Sequence, residues 1–432
     1  MINNREIAAY TLDELKKAGA TAAQCIVGNG KTDELNIDGG EFSLMRTLFN
    51  SSLTIKALIG NKKGTTSINR LEKDAIDEAI KSCMRSVENS VDDEAEIIAP
   101  FAGKQDFVTG AAEPDHEKLF DRLREYMDSV KTEYPKIILE QVIATYSNSE
   151  RFYMNTNGSE LSYKYGVYSF DSMFSAHDAD KSSSFIGTDD STITLDRAFI
   201  DLGMQRRLLA ESEKQLDTVS IDEKFVGKLL ITPACMASIL MSILRNCVTD
   251  TVLIEGTSPW REMLGQKVAH DNITLSSVPL DDRIVCGERI TADGYIAENY
   301  DIIKNGVLKS FALSQYGARK TGLERAKNTS FEIEMAAGDK SFDELVADAG
   351  DGLMLSRFSG GSPAVNGDFS GVAKNSFLIK NGSIVGAVSE TMISGNLLDM
   401  INNCLGISSE RICNGSTILP WALFDGITIS GK

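Results

Sequence analysis

Histidine is nearly missing from this sequence: His116, His177 and His270 are the only three in 432 residues. His116-Glu117 is followed by Phe120 and Asp121, so neither HExxH nor HExxxH can be completed, and no histidine-based zinc helix is spelled out. Three imidazoles so dispersed are expected to be surface or hydrogen-bonding residues. The seven cysteines (25, 83, 235, 247, 286, 404 and 413) are odd in number, scattered, and contain no CxxC. That pattern argues for reduced, mostly buried thiols in a cytoplasmic protein. No apolar run reaches the roughly 18 residues of a membrane span. The nearest, 229–244, is broken by Thr232-Pro233. The opening MINNREIAAYTLDELKKAG has no basic segment followed by an apolar one, so no signal peptide is expected.

Nucleophile and phosphate motifs are also missing. Ser359-Gly360-Gly361-Ser362 has the wrong order for GxSxG, and Gly60-Asn61-Lys62-Lys63-Gly64 lacks the Walker A spacing. A nucleophilic Cys404 or Cys413 would need a histidine nearby, and none follows His270. Basic residues are in deficit: Lys plus Arg number 44 against 62 Asp plus Glu, a net charge of −18. A surface this acidic repels phosphate backbones, which argues against nucleic-acid binding. The pairs Asp189-Asp190 and Asp281-Asp282 read as solvated surface.

What is present is a chain long enough for two or three domains and a substantial core. The pattern predicts an α+β fold in two domains, residues 1–220 (with subregions of about 1–100 and 112–220) and a β-rich 225–432. A helix is expected over 4–18 with Asn4 as cap and Gly19 as stop. Three strand-like runs follow, AAQCIVGN, ELNIDGGEFSLMRT and SSLTIKALIGN, with a hairpin turn at Asp38-Gly39-Gly40. Helices are expected over about 72–87 and 115–134, the second with the stripe Leu119, Leu123, Met127 and Val130. Residues 87–114 read as a connector. Strands then flank an Asn157-Gly158 turn and carry Tyr163, Tyr165, Tyr168, Phe170 and Phe174, an aromatic set expected in a core or on a sheet. A helix is expected over 195–215. Residues 229–246 read as a strand turning into a helix, with Thr232 as cap and Pro233 in the first turn. Asn305-Gly306 marks a later hairpin.

The stretch 358–400 organises the second half. Its first part, FSGGSPAVNGDFSG, concentrates special backbone positions. Its second part is a hairpin, NSFLIK and SIVGAV flanking Asn381-Gly382. Ser359, Gly360, Gly361, Asn366, Gly367 and Asp368 are the candidate peptide-binding residues, because a glycine-rich loop presents backbone groups to an extended chain. An ordinary long loop is the competing reading. Asn366 and Asp368 would either hold the loop or touch the substrate, with the holding role favoured for Asp368. Ser394-Gly395-Asn396 reads as the cap of the following helix.

The same stretch, SGG, NGDFS, the IKNG turn and then ETMISGNL, resembles the C-terminal signature of the TldD/PmbA family, peptidases also called modulators of DNA gyrase. GNKKGTTSIN, NTNGSELSY and the closing GSTILPWALFDGITISGK extend the likeness over nearly the whole chain. The resemblance implies that TldD-type members bind zinc through HExxxH and a later cysteine. The matching helix here, PACMASILMSILRN, holds no His, Glu or Asp, and Met241 and Ser242 stand about where the first ligand would lie. The chain therefore resembles the PmbA (TldE) branch. That resemblance implies a subunit without its own cofactor, whose zinc belongs to a TldD-type paralogue. It also implies either a heterodimer with that paralogue or a homodimer, with extended peptide as substrate. Two other readings stay open: a stand-alone homodimeric hydrolase with an unrecognised site, and a non-enzymatic regulator of a DNA enzyme.

Overall fold

The structure is a computed structural model that describes residues 3–431 apart from Cys286 and Glu390. Cys286 of the thiol set and Glu390 of the ETMISGNL motif therefore lie outside the described residues. The fold is mixed helix and sheet, as the α+β pattern predicts.

The first half is built on a sheet in which Ala22–Asp38, Glu41–Ile59, Ile137–Asn155 and Glu160–Asp178 run antiparallel as long ribbons. These strands are longer than the sequence suggested. The run 22–38 does not stop at Gly28-Asn29-Gly30, because it is paired on both sides throughout. Gly39 and Gly40 (φ 58° and 81°) make the expected two-residue turn. Asn4–Lys17 and Lys73–Glu88 cover one face of this sheet, packing Ile7, Leu15, Ala79 and Cys83 on Val27, Leu53 and Ile55. The first helix is capped by Asn3, one residue earlier than expected, in a capping box with Glu6.

Three further expectations are corrected. The connector 87–114 contains a strand, Lys104–Thr109, parallel to the start of Glu160–Asp178. The helix expected over 195–215 is confined to Gln205–Lys214, after a single 3-10 turn at Phe199–Asp201. Gly203 (φ 44°) breaks it, and a Cβ there would lie 2.3 Å from Asp190 Oδ1. In His116–Glu133, Tyr126 rather than Met127 completes the buried stripe.

The second half is a larger mixed sheet. Phe225–Ile231 lies between the parallel Gly352–Leu355 and the antiparallel Ile418–Ser430. Their central residues, 229–231, 353–355 and 419–424, are buried on both faces and apolar, whereas Val226 and Asp425 are exposed. Leu229, Ile231, Leu353, Leu355 and Phe424 pack towards Pro233–Cys247. Leu230, Met354, Trp421 and Leu423 join the cluster that holds Phe199, Leu208 and Tyr126 of the first half. Both predicted Asn-Gly hairpins form, with Asn305, Gly306, Asn381 and Gly382 all at positive φ. The aromatic set divides: Tyr168, Phe170 and Phe174 are core, buried with Tyr146 and Tyr126, whereas Tyr163 and Tyr165 line a cleft on the sheet.

Candidate functional site

The loop 361–367 joins two short antiparallel strands, Arg357–Gly360 and Asp368–Lys374. Gly360 faces Gly371 across this pair, and the ring of Phe358 folds over both. A Cβ on either glycine would meet that ring at 2.6 Å. Phe358 meets Phe369 edge to face, centroids 5.7 Å apart. Two glycines in register thus let an aromatic side chain lie flat against its own strand.

The inner end of the loop is tied by one side chain. Asn396 Oδ1 accepts from Leu398 N (2.9 Å) and Asp399 N (3.1 Å), capping Leu397–Asn402. Asn396 Nδ2 donates to Asn366 O (2.8 Å) and Asp368 Oδ1 (2.9 Å). Asn366 Nδ2 donates to Asp368 Oδ2 (2.8 Å), and Leu397 N donates to Gly367 O (2.8 Å). The Asn396 bond, then the Asn366 bond, holds the Asp368 carboxyl below the usual carboxylate range. Gly367 is buried at φ 94°, where a Cβ would meet Asn396 Oδ1 at 2.7 Å. Asn366, Gly367 and Asp368 therefore hold the loop's shape.

The outer end opens onto a groove of about 190 Å³ between this hairpin and the Pro233–Cys247 helix. Gly360 and Gly361 line it beside Phe358, Ser362 and Pro363, facing Ser238 and Ser242 of the helix. Space around Gly361 is open, and Ser359 is exposed next to the groove. The structure so divides the six candidates into Ser359, Gly360 and Gly361 at the lip and the other three behind it. Ser238 and Ser242 were missed as wall residues. Their signal was there to read: two hydroxyls four apart share one face of an otherwise apolar helix.

Zinc can be tested against these donors. Ser242 Oγ donates to Ser238 O (2.9 Å), so its proton is engaged within the helix. Cys235 lies beneath, its thiol pushed up to about 12 by burial against a smaller opposing bond from Phe358 backbone. No imidazole, thiolate or carboxylate among the described residues lines the groove. Among the described residues, no group of three or more His, Cys, Asp or Glu side chains could hold a metal ion. The groove residues do not fit a zinc ion. The histidines sit apart: His116 is 3.5 Å from Asp33, His177 Nε2 is 2.9 Å from Ser175 Oγ, and His270 Nδ1 accepts from Asn272 N.

Of the acid pairs, Asp281 is salt-bridged to Arg283, whose hydrogen bond brings its pKa to about 2. Asp190 corrects the surface expectation. It is 5% exposed on Ile186–Thr192, and burial, followed by the charge of Asp189, raises its pKa to about 7.

Residues 226–431 match the model of the PmbA/TldA metallopeptidase C-terminal domain. The chain is 31% identical over 167 residues to Metalloprotease PmbA of Escherichia coli O157:H7, a match spanning 37% of each chain. It is 22% identical to the Metalloprotease PmbA homolog of Haemophilus influenzae over 99% of this chain and 96% of that one. Its fold is that of TldE from Thermococcus kodakarensis, with a TM-score of 0.84 at 18% identity, covering 98% of this chain and 99% of the other. Residues 226–431 belong to the PmbA/TldD family. Both walls of the groove lie inside the segment matched by the PmbA/TldD domain model.

Proposed function

We propose that this chain is the zinc-lacking, PmbA/TldE-like subunit of a cytoplasmic TldD/TldE-type metallopeptidase, and that its groove helps to hold an extended peptide during proteolysis or peptide maturation. The observation that carries this reading is the donor set of the groove. It lies between a helix and a short strand and offers hydroxyls and backbone where a metal would need imidazole, thiolate or carboxylate. Among the described residues, Arg357–Gly360 is an edge strand, paired on one side with Asp368–Lys374. An extended peptide can add to such an edge through main-chain hydrogen bonds, without requiring a particular sequence. Ser359, Gly360 and Gly361 would supply that edge, while Phe358 and Phe369 offer apolar surface to side chains.

A partner is supported by a second feature. Residues 41–50 of Glu41–Ile59 are exposed on both faces, and Met45 and Phe49 are 70% and 77% exposed. Among the described residues this segment is paired only to Ala22–Asp38. Apolar side chains along an unpaired edge suit association with a TldD-type paralogue or with a second copy. The test is peptidase activity of the purified chain alone, of a TldD-type paralogue alone, and of the mixture. Activity that needs the paralogue supports the reading. Activity of this chain alone, abolished by one side-chain change within it, would overturn it in favour of a stand-alone hydrolase.

A further inference from the structure

The second face of the long ribbon sheet carries a cleft that shares no residue with the groove. Odd-numbered residues of Ala22–Asp38, such as Cys25 and Val27, pack under the two helices. Ile26, Gly28 and Gly30 lie on the other face, opposite Gly287, Glu288 and Ile290 of the second half. The strand registers place Ser52, Gly28, Arg151 and Tyr163 in one row across four strands, and Asn50, Gly30, Ser149 and Tyr165 in the next. Gly28 and Gly30 bring no side chains to this face. Cβ atoms there would lie 2.7 and 2.8 Å from Ser52 Oγ and Ser149 Oγ. The sheet is therefore hollowed between its first and third strands. The segment 287–290 lies over the hollow with Glu332, enclosing about 560 Å³.

Arg151 faces this cleft without an acceptor. Its Nε is buried and has no hydrogen-bond partner, and among the described residues its guanidinium makes no ion pair. Glu288 is near enough to act on it through charge, but its carboxylate is taken by Thr329 N (2.9 Å) and Oγ1 (3.0 Å). Glu332 is likewise engaged, by Glu288 N and by Ser330 Oγ. A largely buried guanidinium left unpaired is costly unless something else completes its fork. A carboxylate matches that fork with two parallel bonds. Glu288 and Glu332 in the roof suit an ammonium group, and Arg289, also in the roof, donates to Pro279 O. The rings of Tyr163 and Tyr165, 5.3 Å apart, form a side wall.

We propose that this cleft is a second binding site, for the α-carboxylate of a free amino acid or of a short peptide's C-terminus, with Arg151 as the anchor. It does not depend on the peptidase-subunit reading. The test is calorimetric titration of the intact chain with alanine, alanyl-alanine and alanyl-alanine amide. At least one of the two free acids binds, and the amide binds at least tenfold more weakly than alanyl-alanine or not at all. Equal binding of alanine and alanyl-alanine assigns the site to free amino acids, and binding of the dipeptide alone assigns it to peptide ends. Arg151→Met abolishes binding without lowering the urea midpoint of the ligand-free protein, because it removes an uncompensated charge. Amide and acid binding alike, binding that survives Arg151→Met, or no heat from either acid at millimolar concentration would each overturn the proposal. So would a lowered urea midpoint, which would make Arg151 a structural residue.

Discussion

Replacing Asn396 by alanine removes four hydrogen bonds that converge on one side chain, two capping Leu397–Asn402 and two tying the loop behind the groove. Loss of an asparagine cap costs about 1 kcal/mol. Loss of the bond to Asn366 O costs about 1 kcal/mol more. The bond to the exposed Asp368 carboxylate is screened by water and adds little. A total of about 2 kcal/mol is roughly a 30-fold change in the local opening equilibrium. The assay is amide hydrogen exchange at Leu397, Leu398 and Asp399, which reports local opening directly. In Asn396→Ala all three amides are expected to exchange roughly 30-fold faster, while the amides of Phe225–Ile231 are unchanged. Asn396→Asp separates the two roles. A carboxylate caps as well as an amide, so Leu398 and Asp399 keep their protection. It cannot donate to Asp368 and repels it, so Leu397 N loses its bond to Gly367 O at neutral pH and recovers it when acid neutralises the pair. Unchanged exchange at these amides in Asn396→Ala would refute the claim that this residue holds the loop.

Burial, then Asp189, holds the folded Asp190 pKa near 7 against an ordinary value of 3.8, so the folded chain keeps a proton that the unfolded chain releases between those values. Its contribution is full below the lower value and falls as pH rises to about 7; Asp190→Asn should flatten urea midpoints between pH 5 and pH 8 and stabilise the protein at pH 8 by up to about 4 kcal/mol. A Cβ on Gly64 would lie 2.2 Å from Cys83 O and 2.8 Å from Val87 N, so Gly64→Ala should push Lys73–Glu88 off its sheet at a cost of about 1–3 kcal/mol, read as a lowered thermal midpoint. Ser242→Trp should fill the groove and cut peptide turnover by the assembled peptidase more than tenfold, with the chain's own urea midpoint unchanged.

Short-range chemistry was legible in the sequence, and long-range pairing was not. The Asn-Gly turns, the helix start at Pro233 and the Asn396 cap each depend on residues within a few positions and form as expected, although the Thr232 side chain, expected as a cap, makes no capping bond. The first strand-like run was expected to end at Asn29, because the partners that continue it past Gly30, such as Ser149, are remote in sequence. Lys104–Thr109 was invisible for the same reason. Its pairing with Glu160–Asp178 supplies what its own exposed side chains do not. The helix expected from residue 195 starts only at Gln205, after Gly203, whose close approach to Asp190 no local pattern encodes. The groove was half legible. The glycine-rich lip stood out by composition, whereas Ser238 and Ser242 matter only because the helix folds against that lip.

The most direct measurement is the zinc content of the chain purified alone and again after assembly with a TldD-type paralogue. The expected result is no bound zinc for the chain alone, even after incubation with the metal, and one zinc per heterodimer that is lost when the paralogue's HExxxH is altered. One zinc per chain in the absence of any partner, released by replacing a residue of this sequence, would contradict the proposal that the groove holds peptide without holding metal.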